Sequence, residues 1–362
     1  YWDLAKQFNP TAFEPSEWAQ LAKDNGFKYV IFTTKHHDGF CMFDTKQTDY
    51  KVTAGPYANG KYANIVRHVF DAFRDKDFMI GAYFSKPDWH NENFWDPFFA
   101  TPDRNPNYNT KKYPEKWEKF KQFTAAQIDE LMSDYGSVDI LWLDGGWVRK
   151  PDLDIDLDAI VDNARKKQPG LIAVDRNVPG RNENYQTPEQ SIPAVQQPFP
   201  WESCLTLSNT WGWNPAPKYK SGRWAINTLA EIVAKGGCLA LNVGPTPDGK
   251  IEDAAVERLN ELGNWLKRNG EAIYSTRITP VYNSGATWFT ASKDGRTLYA
   301  IYALPEGENL PATISWEGNL PKGKMTLLST GKSVKYSVAD GKVTVKLPAG
   351  LANEPVAFKF KN

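Results

Sequence analysis

Cysteine is scarce in this 362-residue chain. The three present, Cys41, Cys204 and Cys238, are odd in number and far apart, which excludes a disulfide framework and supplies no C-x-x-C pair for a structural zinc. Histidine is nearly as rare, with four residues in all. Excess charge of either sign is missing, since 43 Lys and Arg balance 43 Asp and Glu. That balance removes the basic footprint of a nucleic-acid-binding domain. No apolar run approaches the roughly 18 residues of a membrane-spanning helix. No G-x-G-x-x-G or G-x-x-x-x-G-K-S/T element follows a strand-like run, so nucleotide binding lacks support.

What is abundant is aromatic. The chain carries 14 Trp, and Phe, Trp and Tyr make up 14% of it. Trp and Tyr offer a flat apolar face with a polar edge, which suits the C–H faces of sugars, although bulky core filler accounts for the composition equally well. The opening YWDLAKQFNP has no initiator Met, signal sequence or leading strand, and reads as an internal starting point in a longer natural sequence.

Up to about residue 275, strand-like apolar runs alternate with helix-period stretches. Helical patterns cover residues 15 to 26, 63 to 77, 114 to 136, 156 to 168, 222 to 236 and 252 to 269. Between them lie YVIFTT, FMIGAYFS, VDILWLD, LIAVD and CLALNV, runs apolar enough for strands buried on both faces. This alternation predicts a parallel sheet, and the number of repeats favours a (β/α)8-like barrel over a doubly wound sheet. After Thr279 the pattern changes to short strands separated by Gly, Asp and Lys turns. These predict an antiparallel β-sandwich, giving a catalytic domain over 1–275 and a second domain over 276–362.

In a (β/α)8 enzyme the active site lies at the C-terminal ends of the strands, so the polar residues closing each apolar run carry the information. TTKHHDGF puts His36 and His37 at one such end. Adjacent strand residues point to opposite faces, and no further metal ligands can be placed. Hydrogen bonding to a polyhydroxylated ligand is therefore the better functional reading, with a buried structural pair as the alternative. In VDILWLDGG the period of two puts Ile140, Trp142 and Asp144 on one face. A carboxylate on a rigid strand beside an aromatic is how a glycosidase holds its nucleophile; a plain Asp-Gly-Gly turn is the competing reading. Tyr83 and Ser85 share a face in FMIGAYFS, and Asp175–Arg176 close another run. For a second carboxylate the candidates are Glu183, Glu189 and Glu202, with Trp211 and Trp213 nearby in sequence. Long loops between barrel strands are where functional residues collect.

These residues sit in segments that resemble a known family. FNPTAFEPSEWAQLAKDNGFKYVIFTTKHHDGFCMFD, VDILWLDGGW, NYQTPEQ, PWESCLTLSNTWGW and CLALNVGPTPDGKIEDAAVERLNELGNWLKRNGEAIYSTR closely resemble glycoside hydrolase family 29, the α-L-fucosidases, in the family's order over residues 1 to 277. TTKHHDGFCMFD with TPEQ resembles the bacterial, relaxed-specificity type. The resemblance implies Asp144 as nucleophile, His36 and His37 as fucose-hydroxyl binders, and Tyr83, Trp142, Arg176 and Trp211 as further pocket residues. It implies Glu189 as general acid/base, with Glu202 the alternative. The family's first barrel strand, with a pocket His, and a following sugar-binding Glu would lie before Tyr1.

The implied reaction is retaining hydrolysis of a terminal α-L-fucoside, with the two carboxyl groups about 5–5.5 Å apart. No cofactor or metal is implied. The expected partner is a fucosylated oligosaccharide or glycoconjugate, with no nucleic acid and no membrane span; a homo-oligomer is open. The style of sequence implies a bacterial periplasmic or secreted protein. Two other readings stand beside this one: a non-catalytic fucose-binding protein, and a barrel glycosidase acting on another sugar such as an α-galactoside.

Overall fold

The computed structural model describes residues 1–97 and 105–361. The chain divides into two compact units. The first comprises Tyr1–Lys23, Phe27–Gln186 and Pro245–Lys250; the second comprises Asp24–Gly26, Thr187–Gly244 and Ile251–Asn362.

In the first unit, helices α1 (Pro15–Asp24), α2 (Ile65–Arg74), α3 (Pro114–Asp134) and α4 (Leu157–Lys167) alternate with strands β1 (Tyr29–Lys35), β2 (Met79–Ser85), β3 (Ile140–Asp144) and β4 (Ile172–Val174). The strands pair in sequence order as one parallel sheet. Parallel neighbours need a crossover, and the intervening helices supply it. The helical stripe read from residues 63 to 77 is the one that packs: Ile65, Val66, Val69, Phe70 and Phe73 are buried on α2. Together with Leu141 and Leu143 of β3 and Phe120, Ile128 and Leu131 of α3, they belong to one apolar core. At about 1.5–3 kcal/mol for each large side chain removed from water, this core holds the helices against the sheet.

The second unit begins with another strand–helix–strand unit. Strand β5 (Glu202–Thr206), helix α5 (Gly222–Ala234) and strand β6 (Cys238–Asn242) bring β5 and β6 together as a parallel pair, and α6 (Asp253–Asn269) follows. Then come β7 (Asn283–Ser284), β8 (Thr287–Ala291), β9 (Thr297–Tyr302), β10 (Thr313–Glu317), β11 (Lys322–Leu327), β12 (Lys332–Ala339), β13 (Lys342–Lys346) and β14 (Val356–Lys361). They form one eight-stranded sheet in the order β10-β13-β12-β11-β14-β9-β8-β7, antiparallel throughout. Trp316 of β10, at one end of that order, meets Phe289 of β8 near the other, with ring centroids 6.1 Å apart. The sheet is thus rolled over a shared core that includes Phe358 and Phe360. A parallel α/β architecture followed by antiparallel β structure is the class expected from the sequence.

Candidate active site

Three neighbouring parallel strands assemble the site by register alone. Tyr83 lies opposite Trp142 and Ser85 opposite Asp144. Trp142 in turn lies opposite Val174, and Arg176 follows Val174 by two residues. The side chains therefore converge at the C-terminal end of the sheet, where strands of this topology present their chemistry.

Asp144 is the centre of that convergence. One carboxylate oxygen, Oδ1, accepts from the Gly145 N–H at 2.7 Å and from the Arg176 Nε–H at 2.9 Å. The other, Oδ2, accepts from the Tyr83 hydroxyl and lies 3.7 Å from His37 Nε2. Burial pushes this carboxyl up, but the Tyr83 hydroxyl, the Arg176 guanidinium and His37 outweigh it and hold Asp144 below its ordinary range. It is an ionised, oriented carboxylate. Tyr83 shows the reciprocal effect, since burial and the Asp144 charge keep its hydroxyl protonated well beyond the usual range.

Aromatic faces wall the carboxylate. The Tyr83 ring stacks on Trp142 at 5.2 Å and 22°, and the Arg176 guanidinium lies 4.9 Å over the Trp142 ring. Trp89 and Trp147, which sequence reasoning missed, stand edge-on to His37 at 5.4 and 5.3 Å. Trp147 closes the VDILWLDGGW segment, but the richness in Trp does not say which Trp lies near a site.

The expectation that adjacent histidines point to opposite faces is corrected. β1 ends at Lys35, so His36 and His37 occupy the turn beyond it, where strand alternation no longer applies. Their rings stack on each other, 4.3 Å apart at 28°. His37 is buried and His36 exposed. Ligand atoms of His36, His37 and Asp144 lie within 4.8 Å of one another, which is close enough to consider a cation. Both Asp144 oxygens already accept from N–H or O–H donors, however, and one of these donors is a guanidinium that would repel a metal ion. The set suits hydroxyl groups better.

The two glycines after Asp144 serve the turn and the site at once. Gly145 has φ +83°, and a Cβ there would sit 2.4 Å from Pro87 Cδ; one on Gly146 would meet the Arg176 carbonyl oxygen at 2.9 Å. Beneath them, Lys86 forms a buried ion pair with Asp175, and the Lys86 N–H donates to the Asp144 carbonyl at 3.0 Å.

Of the remaining candidates, Glu183 belongs to the first unit, and Glu189, Glu202 and Trp211 to the second. Glu189 is exposed, on a loop whose backbone bridges to Cys204 of β5. The next residue, Gln190, donates its N–H to the Cys204 carbonyl at 3.0 Å and its side-chain amide to Thr206 Oγ1 at 3.2 Å. Glu202 is buried and opens β5, so it stands at the strand's N-terminal end. Trp211 is 41% exposed on the loop that follows β5.

Comparison with known proteins decides the family. The α-L-fucosidase family model matches residues 1–271. The chain belongs to the α-L-fucosidase family. An α-L-fucosidase of Branchiostoma floridae is 28% identical over 98% of this chain and 78% of its own length. The structure of α-L-fucosidase isoenzyme 1 from Paenibacillus thiaminolyticus superposes with a TM-score of 0.84 at 28% identity, covering 99% of this chain and 88% of the other. A second solved structure is a family 29 α-L-fucosidase of Bacteroides thetaiotaomicron, a covalent intermediate trapped with 2-fluoro-fucosyl fluoride in a glutamate-to-glutamine mutant. It superposes with a TM-score of 0.81 at 25% identity over 99% of this chain and 84% of its own. The family is one of fucose-releasing glycoside hydrolases. In this member, Asp144, His36, His37, Tyr83, Trp142 and Arg176 gather within one unit, while Glu189, Glu202 and Trp211 belong to the other.

Proposed function

We propose that the chain hydrolyses terminal α-L-fucosides with retention of configuration, using Asp144 as nucleophile and Glu189 as general acid/base. The observation that carries this reading is the Asp144 carboxylate, ionised and oriented by the Tyr83 hydroxyl, the Arg176 guanidinium and the Gly145 N–H at a strand's C-terminal end. In the first step an Asp144 oxygen bonds to the anomeric carbon as the bond to the leaving oxygen breaks, and Glu189 supplies that oxygen's proton. In the second, water attacks the same carbon, Glu189 takes its proton, and the Asp144 ester is released. The trapped covalent intermediate of the Bacteroides relative supports a two-step path of this kind.

His36 and His37 are assigned to the fucose hydroxyls, Tyr83, Trp142 and Arg176 to the pocket around Asp144, and Trp211 to the sugar as well. Glu189 is preferred over Glu202 because catalytic groups in barrels of this class come from strand C-terminal ends, whereas Glu202 opens its strand. Hydrolysis of nitrophenyl α-L-fucoside against nitrophenyl galactosides tests the reading. Selective release from the fucoside supports it. Selective release from a galactoside, or fucose binding without turnover, overturns it.

A further inference from the structure

Glu183 is one of the three carboxylates that the sequence offers as partner to a nucleophile, but its oxygens are engaged elsewhere. One accepts the backbone N–H of Asp175 and the other that of Asn177 at 2.6 Å. These two residues flank Arg176. The turn between them is unfavourable on its own, because Arg176 and Asn177 both have positive φ, +51° and +63°, a region that costs a side chain such as Arg about 1–2 kcal/mol and that Asn tolerates better. A carboxylate spanning the two flanking amides offsets that cost and fixes the direction in which Arg176 leaves the backbone. The segment carrying Glu183 is itself anchored, since Asn184 exchanges hydrogen bonds with Ala173 of β4 at 2.8 and 2.9 Å. On the far side of the turn, the Asp175 carboxylate is tied to Lys86.

We propose that Glu183 is a positioning residue for the hydrolytic reaction: it clamps the Asp175–Asn177 backbone so that Arg176 is aimed at Asp144. The proposal rests on the reading of Asp144 as nucleophile for its effect on rate. The aiming itself is a property of the turn. Glu183 touches no reacting atom and acts through Arg176, whose Nε–H reaches Asp144 Oδ1 and whose guanidinium plane rests on Trp142. A glutamine in its place keeps the size but presents an NH2 group to one of the two backbone N–H donors, so one half of the clamp is lost.

The test follows the titration of the Asp144 carboxyl by 13C NMR, assigned with Asp144→Asn, in the full chain. The charged and titratable groups facing that carboxyl are Tyr83, Arg176 and His37, with His36 beside His37 and Lys86 acting through its charge. Glu183 holds the backbone on both sides of Arg176, and its charge also acts on Lys86. Glu183→Gln is expected to raise the Asp144 midpoint, because a loosened Arg176 favours the ionised form less. It is also expected to lower kcat/KM on an aryl fucoside by on the order of 10- to 100-fold, with the acid limb moving by the same shift. In the Arg176→Ala background Glu183→Gln should add no further shift. Asn177→Gly, which adopts positive φ freely, should restore part of the midpoint in the Glu183→Gln protein; thermal stability regained with no return of the midpoint would mark Glu183 as merely structural and overturn the proposal. Glu183→Ala is the second variant, with thermal melts run beside both. An unchanged Asp144 midpoint in both variants, or a shift fully additive with Arg176→Ala, overturns the proposal. A midpoint that moves while the acid limb of kcat/KM does not would uphold the clamp and instead remove Asp144 as the nucleophile.

Discussion

Arg176 is shared between Asp144 and Trp142. Its Nε–H donates to Asp144 Oδ1 at 2.9 Å while its guanidinium lies 4.9 Å over the indole two residues earlier on the same strand. The stacked plane limits how the guanidinium can turn, so the hydrogen bond is delivered in one orientation. A lysine could supply the charge but neither the planar face nor the fixed donor geometry.

Replacing Asp144 with glycine should remove the nucleophile while leaving room for a small anion. Turnover of an aryl fucoside is expected to fall by at least about 10³-fold, with added azide restoring part of it as a fucosyl azide. Product analysis by NMR checks this. Near-normal turnover of Asp144→Gly without azide would remove the assignment.

Tyr83→Phe tests what keeps Asp144 ionised. With its carboxyl held below the ordinary range despite burial, the acid limb of kcat/KM should lie below the usual carboxylate titration. Loss of the Tyr83 hydroxyl leaves the burial penalty less opposed, so the limb should move to higher pH, with activity lost first under acidic conditions. The sign for stability agrees. A depressed folded-state value contributes stability that is present above the unfolded value and lost as pH falls through the folded one, and Tyr83→Phe should shrink that contribution. A pH–rate profile with an unmoved acid limb would show that the hydroxyl does not set the charge.

His36→Ala and His37→Ala should each weaken fucose binding, seen as raised KM and a raised inhibition constant for fucose, each by on the order of 10-fold, since leaving a buried hydrogen-bonding group without its partner costs about 1–3 kcal/mol. His37, buried between Trp89 and Trp147, should show the larger effect. Chelators should leave activity unchanged. Activity lost in EDTA and restored by zinc would instead make the His36–His37–Asp144 group a metal centre.

The frame of this site was legible because it rests on strand periodicity. The face shared by Trp142 and Asp144, and that shared by Tyr83 and Ser85, follow from a period of two, and the parallel register then sets Tyr83 against Trp142 and Ser85 against Asp144. Where periodicity stopped, the reading weakened. His36 and His37 lie one and two residues past the end of β1, and the alternation rule assigned them wrongly to opposite faces. Glu183 carries no local pattern at all, because its partners are the backbone amides of residues eight and six positions earlier. Strand β12 lacks a clear sequence signal for a different reason. KSVKYSVA is polar and mostly exposed; main-chain pairing to β11 and β13 holds it, with Val334 and Tyr336 as its partly buried contacts to the core.

Lys86 and Asp175 offer a test that is read in folding stability. Both side chains are buried, and Asp175 is pushed up by burial even with Lys86 beside it. Lys86→Met should leave an uncompensated buried carboxylate and cost about 3–5 kcal/mol, measured by denaturant unfolding at neutral pH. Without its partner, the folded-state Asp175 value rises further above its unfolded one, so the destabilisation should shrink as pH falls and the carboxyl is neutralised. A second change, Asp175→Leu in the same chain, should recover much of the loss. Equal destabilisation at acidic and neutral pH would show that lost packing, not charge, is the cause.

The assignment of the acid/base to Glu189 over Glu202 is decided by leaving-group dependence. Glu189 is exposed on a loop fastened to β5 through Gln190 and Cys204, whereas Glu202 is buried at the strand's beginning. General acid help matters most when the leaving group is poor. Glu189→Ala should therefore cripple hydrolysis of natural fucosides, whose leaving group is an alcohol, by on the order of 10²–10⁴-fold. Release of dinitrophenol from an activated fucoside needs no proton, so its first step should persist and the fucosyl-enzyme should accumulate, visible as a burst and by mass spectrometry. Azide, which needs no general base, should then speed breakdown of that ester. Glu202→Ala should slow both substrates alike through loss of folding stability, because an emptied buried site weakens the β5–β6 pair rather than the proton transfer. The reverse pattern, with a burst and azide acceleration in Glu202→Ala and none in Glu189→Ala, would transfer the acid/base role to Glu202.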